Sequence, residues 1–142
     1  MSKMVVGFAF NLTETAVALI LKARPAWQKR KFNGIGGHIE DGESPLKAMN
    51  REWDEEASNQ SFPVDWTLFT KLCCSNGDEV FFYRGNTVLN NLKSSSPGEQ
   101  IVIFGLDTLP ENIIPNLSWL IPMAQVKNKH CWVYNIMENV II

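Results

Sequence analysis

"FNGIGGHIEDGESPLKAMNREWDEEASN", residues 32–59, places three Gly within four positions and follows them with a segment carrying Glu52, Glu55 and Glu56. Ser44 is a favoured N-cap, and Pro45 suits a first helical position because its ring presets φ and its missing N–H would have lacked a partner anyway. A helix over 45–58 is therefore expected. At about 100° per residue, it aligns Leu46, Met49, Trp53 and Ala57 as a packing stripe, with the three glutamates grouped beside it. Their i, i+3, i+4 spacing lets the carboxylates converge at a cost in mutual repulsion. A hard divalent cation removes that cost, and Mg²⁺ commonly binds through a few carboxylates plus substrate phosphates. The plainer reading is a solvated face on which Arg51 pairs with Glu55 at i+4. Gly34, Gly36 and Gly37 permit close approaches that a Cβ would block, so the preceding segment reads as a loop lying tight against the helix and facing a ligand.

Outward from this stretch, the 142 residues have the length of one ordinary domain, and a single domain over 1–142 is expected. A hydrophobic content of 45% argues against extended disorder. The formal net charge of -2 offers no global footprint for a nucleic-acid duplex, so a polyanionic ligand must be held by a local site or by metal ions. Cys73, Cys74 and Cys131 are odd in number and lack metal-ligand spacing; they read as reduced structural thiols. No run approaches the roughly 18 apolar residues of a membrane span. A cytoplasmic protein, monomeric or homodimeric and without a membrane partner, is expected.

"MVVGFAFNL" and "AVALILKA", separated by "TET", suggest a hairpin. "RPAWQKRKFNGIGG" is basic, Gly-rich and irregular. "DWTLFTKLCC" and "EVFFYRGNTVL" flank "SNGD", whose Asn-Gly is a strong hairpin signal. "NNLKSSSPGEQ" is a polar connection, "IVIFGLDTL" a buried-type strand, and "PNLSWLIPMAQVKN" a final helix that Pro122 should kink or end. Strands and two helices sharing one core give an α+β class, an α/β/α sandwich with a mixed sheet.

Residues 37–59 closely resemble the Nudix box, G-x5-E-x7-R-E-U-x-E-E-x-G-U with U bulky and apolar. Gly37, Glu43, Arg51, Glu52, Trp53, Glu55 and Glu56 match in type and spacing, whereas Ser58 and Asn59 stand where the family has Gly and an apolar residue. Asn tolerates the left-handed conformation that ends many helices, so Asn59 is expected to end this one a position later. The resemblance implies the Nudix fold and hydrolysis of a nucleoside diphosphate linked to another group, with Mg²⁺ or Mn²⁺. It places Glu52, Glu55 and Glu56, together with Gly37, at the metal, and has Glu43 and Arg51 brace the loop against the helix. A base must take a proton from the attacking water; Glu55 or Glu56 is expected to do so, and Glu99 in "SPGEQ" is a candidate fourth carboxylate.

Within the family, "FNGIGGHIEDGE" is similar to the MutT-homologue purine nucleoside triphosphatases that sanitise oxidised nucleotides. That resemblance implies that Asn33 reads the base. Phe8, Phe10 and Trp27 are candidate apolar or stacking walls, each also a natural core residue, and Lys22 or Arg24 is placed to reach a phosphate. "IIPNLSWLIP" matches a base-binding segment of that group at Pro115, Ser118, Trp119 and Pro122. It departs at Ile114, Asn116 and Leu117, where the group has Trp and a pair of Asp; Asn116 keeps an amide able to bond a base edge. The substrate expected is a nucleoside triphosphate, a purine or a modified deoxynucleotide. The rivals are another nucleoside diphosphate derivative, such as ADP-ribose or a dinucleoside polyphosphate, and a catalytically silent nucleotide sensor.

Overall fold

The computed structural model describes residues 1–57, 63–90, 92 and 98–126, and the backbone of 132–136. Alternating apolar positions form strands β1 (Lys3–Phe10) and β2 (Ala16–Leu21), paired antiparallel at Ala9–Ala18 and Phe10–Val17. The connecting turn is tied by Asn11, whose side-chain oxygen accepts the Thr15 N–H at 2.8 Å. A single 3-10 turn, Ala26–Gln28, interrupts the basic segment.

The Gly-rich segment is not the loop that its composition suggests. It forms two short strands, β3 (Phe32–Asn33) and β4 (Ile35–His38), and β4 runs antiparallel to the first half of β1. Backbone pairing supplies the order that the missing side chains cannot, and a Cβ on Gly36 would run into the Val5 carbonyl of the facing strand.

Helix α1 (Pro45–Glu56) starts as expected, with Ser44 Oγ accepting the Lys47 N–H at 3.2 Å and Pro45 at the first position. A cap of this kind is worth about 1 kcal/mol. Its inner face is rolled toward β4, so the stripe centres on Ala48, Met49, Glu52, Trp53 and Glu56, all buried. Leu46, expected on that stripe, lies at its edge and is 46% exposed. The helix closes at Ala57; Ser58 and Asn59 lie outside the described residues.

β5 (Thr67–Cys74) and β6 (Glu79–Asn86) form the second hairpin, turning at Gly77 with φ of 93°. β6 then runs parallel to β1 along its whole length. β7 (Gln100–Gly105) pairs with the outer side of β2 as an edge strand and is only partly buried, which corrects the expectation of a buried-type strand. Helix α2 (Leu117–Ala124) ends two residues after Pro122. β8 (Trp132–Ile136), unforeseen, runs parallel to β5.

Among the described residues the strands form one mixed sheet in the order β3-β2-β1-β6-β5-β8, with β4 added to β1 and β7 to β2. The period of two divides its side chains. Val5, Ala9, Ala18 and Ile20 face α1, packing with Met49, Trp53 and Trp66. Phe8, Phe10, Val17 and Leu19 face α2, packing with Phe82, Leu117, Leu120 and Ile121. This is an α/β/α sandwich. No helix among the described residues is long and apolar enough to cross a membrane.

Candidate active site

Pairing β4 to β1 sets Gly37 opposite Val5 and directly beneath α1. A Cβ on Gly37 would collide with the Glu52 carboxylate, coming within 2.7 Å of its carboxyl carbon. The absence of a side chain there is what lets that carboxylate lie against the strand.

One guanidinium organises the acidic side chains. Arg51 donates from Nε to Glu43 Oε2 at 2.7 Å and from Nη2 to Glu43 Oε1 at 3.0 Å, a two-pronged pair across the turn into the helix. Its Nη1 reaches Glu52 at 3.0 Å and Glu55 at 3.3 Å, and its Nη2 also donates to the His38 carbonyl at 2.9 Å. Arg51 thus ties β4, the turn and the helix together. The hydrogen bonds from Arg51, aided by the Glu40 N–H, hold the Glu43 carboxyl down at about 2. The Glu43 bond in turn raises the Arg51 pKa.

Glu52 and Glu56 face inward and behave differently. Burial raises the Glu52 pKa against the opposing pull of Arg51. Burial pushes Glu56 up to about 8; Glu52 and Glu99 add repulsion, while Lys22 opposes the rise. The Glu56 Oε2 atom is buried with no hydrogen-bond partner. A buried carboxylate oxygen in that state is costly unless an ion or a proton compensates it. Glu55 is the accessible member, its side chain 58% exposed.

Among the described residues no three His, Cys, Asp or Glu side chains stand in ready-made metal-ligand geometry; Arg51 instead draws Glu52 and Glu55 to itself. The donor set nevertheless fits a hard divalent cation. It is all oxygen, it carries excess negative charge, and one buried oxygen lacks a partner.

A cleft of about 650 Å³ opens from these glutamates across the end of the sheet. Its walls carry Glu52, Glu55, Glu56, Gly37 and Glu99 together with Lys22, Arg24, Trp27 and Asn33. Glu99 is fixed at the rim of β2, 3.5 Å from Lys22 Nζ, and accepts the Ala23 N–H at 3.1 Å. Trp27 is 41% exposed, leaving ring surface open to a ligand.

Four of the candidates lie elsewhere. Phe8 is fully buried between Phe69 and Phe82, with ring centroids 6.1 and 6.3 Å away, because it points to the α2 face of the sheet. Phe10 is likewise buried in that core. Asn116, the residue capping the start of α2, and Trp119 within it are not among the cleft walls; Asn116 is buried and Trp119 is 39% exposed. Conversely Gln28, Met4, Val6, Val80 and His38 line the cleft without having been singled out. A lone amide or aliphatic residue carries no spacing signature; the pairing of β1 with β4 and β6 brings Met4, Val6, Val80 and His38 together, and Gln28 comes from the Ala26–Gln28 turn.

A mixed sheet between two helices, with a Gly strand and an Arg-braced glutamate helix, is the architecture of the Nudix fold. The chain belongs to the Nudix family: the model for the NUDIX domain matches residues 2–125. Members of this family hydrolyse nucleoside diphosphates linked to another group, typically with a divalent metal, and the chain is a hydrolase of that kind. Solved structures share the fold. A Nudix hydrolase from Nitrosomonas europaea superposes with a TM-score of 0.70 at 17% identity, covering 94% of this chain and 78% of its own. A Nudix-family hydrolase from Clostridium perfringens gives 0.67 at 18%, covering 89% and 98%. A MutT structure from work on Aliivibrio salmonicida and Vibrio cholerae gives 0.59 at 20%, covering 82% of each chain. A sequence search among curated proteins finds no significant match.

Proposed function

We propose that this Nudix hydrolase cleaves a phosphoanhydride bond of a nucleoside triphosphate, a purine or a modified deoxynucleotide, to the monophosphate and pyrophosphate. Its role is then to clear that nucleotide from the pool. The observation that carries the reading is the continuity of one cleft from the glutamates to Asn33 and Trp27. A triphosphate at the acidic end leaves its base beside an aromatic face and an amide.

Glu52, Glu55 and Glu56 would hold the cation, Mg²⁺ or Mn²⁺, with Gly37 giving Glu52 its room and Glu99 as a further carboxylate lining the cleft. When bound, the cation neutralises phosphate charge and lowers the pKa of the attacking water. Lys22 and Arg24 face the same cleft and meet the outer phosphates. Water adds to phosphorus, its proton passes to a carboxylate, and the bridging oxygen leaves with its electron pair as pyrophosphate. Glu55 takes that proton, because it is the glutamate most open to water. Arg51 and Glu43 keep the helix and β4 in register.

The test is a substrate panel with Mg²⁺: nucleoside triphosphates, ADP-ribose, NADH and diadenosine polyphosphates, with phosphate and pyrophosphate measured separately. Preferential turnover of a triphosphate with release of pyrophosphate supports the reading. Faster turnover of ADP-ribose or a dinucleoside polyphosphate replaces it with another nucleoside diphosphate derivative, and turnover of none points to a nucleotide sensor.

A further inference from the structure

Besides the glutamates, the cleft is lined by Met4, Val6, Val80 and Trp27, with Gln28 and Asn33 among them. Both amides are buried. The Gly34 backbone N–H can only donate, and it donates to Asn33 Oδ1 at 2.7 Å. That contact fixes which end of the Asn33 amide is oxygen. Its Nδ2 then points the other way and donates to Gln28 Oε1 at 3.3 Å. A backbone N–H, an Asn amide and a Gln amide thus form a polarised chain with a single sense.

We infer that Gln28 is a positioning residue for base selection: it holds the Asn33 amide in one of its two orientations, and so decides where a donor and where an acceptor faces the base. This rests on the proposed reading of the cleft as a nucleoside triphosphate site with Asn33 at the base. An Asn offers a donor and an acceptor of similar size, so an unrestrained amide can turn to suit either base edge. Gly34 restrains it from one side and Gln28 from the other. Gln28 is the last residue of the Ala26–Gln28 turn; its own N–H donates to the Pro25 carbonyl and the Lys29 N–H to that of Ala26, so its backbone is held as well. A neutral base matched to that fixed pattern is favoured, and one with the complementary pattern leaves buried amide groups unpaired.

The experiment measures kcat and KM for Mg²⁺-supported hydrolysis of deoxynucleoside triphosphates differing only in the base. It compares the wild type with Gln28→Met, which removes the acceptor at similar volume, Gln28→Glu, which keeps an oxygen toward Asn33 Nδ2, and Asn33→Ala. We expect Gln28→Met to narrow the kcat/KM ratio between best and worst base by about fivefold to tenfold. The change should fall on KM for the preferred base more than on kcat, and Gln28→Glu should keep the wild-type order of preference. If Asn33→Ala shifts the ratio and Gln28→Met does not, or if Gln28→Met lowers kcat/KM equally for every base, the inference is overturned and the base reading stands. If Asn33→Ala also leaves the ratio unchanged, or the wild type turns over no triphosphate, the reading beneath it fails and takes the inference with it.

Discussion

Arg51 grips Glu43 through two nitrogens, at 2.7 and 3.0 Å, while the same guanidinium reaches Glu52 at 3.0 Å and the His38 carbonyl at 2.9 Å. Strand β4, the turn and α1 are therefore locked by one side chain. Arg51→Lys keeps the charge but cannot fork onto Glu43, so the glutamates lose their bracing. We expect kcat/KM to fall by about 10- to 100-fold, as for outer groups that orient metal ligands, with the loss checked by steady-state kinetics across a Mg²⁺ titration.

The same pair sets an acid limit. Glu43 stands at about 2 in the folded chain against an ordinary value of 4.5. A depressed carboxyl stabilises the fold above the unfolded value and loses that contribution as pH falls from 4.5 toward 2. Glu43→Gln should therefore lower the unfolding midpoint at pH 7 and close the gap to wild type as the pH is taken below 4. A gap independent of pH would sink this account of the pair.

Glu56 gives the opposite sign. Its folded value of about 8 lies above the ordinary 4.5, so between those limits the folded chain binds more protons than the unfolded one. Stability of the metal-free protein should fall as pH rises through that window. Glu56→Gln should remove the fall and stabilise the metal-free protein at pH 8. Added Mg²⁺ should raise the wild-type melting temperature more at pH 8 than at pH 6, which differential scanning calorimetry with EDTA and with MgCl₂ measures directly.

Gly37 tests the packing behind the metal site. Gly37→Ala sets a methyl against the Glu52 carboxylate, and relief by shifting α1 costs about 1–3 kcal/mol. The expected signature is a raised Mg²⁺ requirement together with a lower melting temperature; melting alone, with an unchanged Mg²⁺ dependence, would limit Gly37 to a structural role.

Much of the acidic centre was legible because its residues are close in sequence and their spacing is tied to one helix. Ser44 and Pro45 mark the start of α1, and Glu52, Glu55 and Glu56 fall on one side of it. The Gly run misled because composition speaks for a loop while pairing with β1, distant in sequence, makes it a strand. Leu46 misled because helical periodicity does not say how far α1 is rolled toward β4. Phe8 and Trp27 look alike as candidate ring walls, and only sheet facing separates a core ring from one that lines the cleft. Gln28 was invisible, since its relation to Asn33 is a contact across a turn and not a spacing.

The most direct test of the central claim is the rate of pyrophosphate release from the best nucleoside triphosphate, in wild type and in Glu55→Gln, with Mg²⁺ and with EDTA. The account predicts Mg²⁺-dependent release in wild type and a loss of about 10²- to 10⁴-fold in Glu55→Gln, the span expected when a general base is removed. Full activity of Glu55→Gln, or equal release in EDTA, would contradict it.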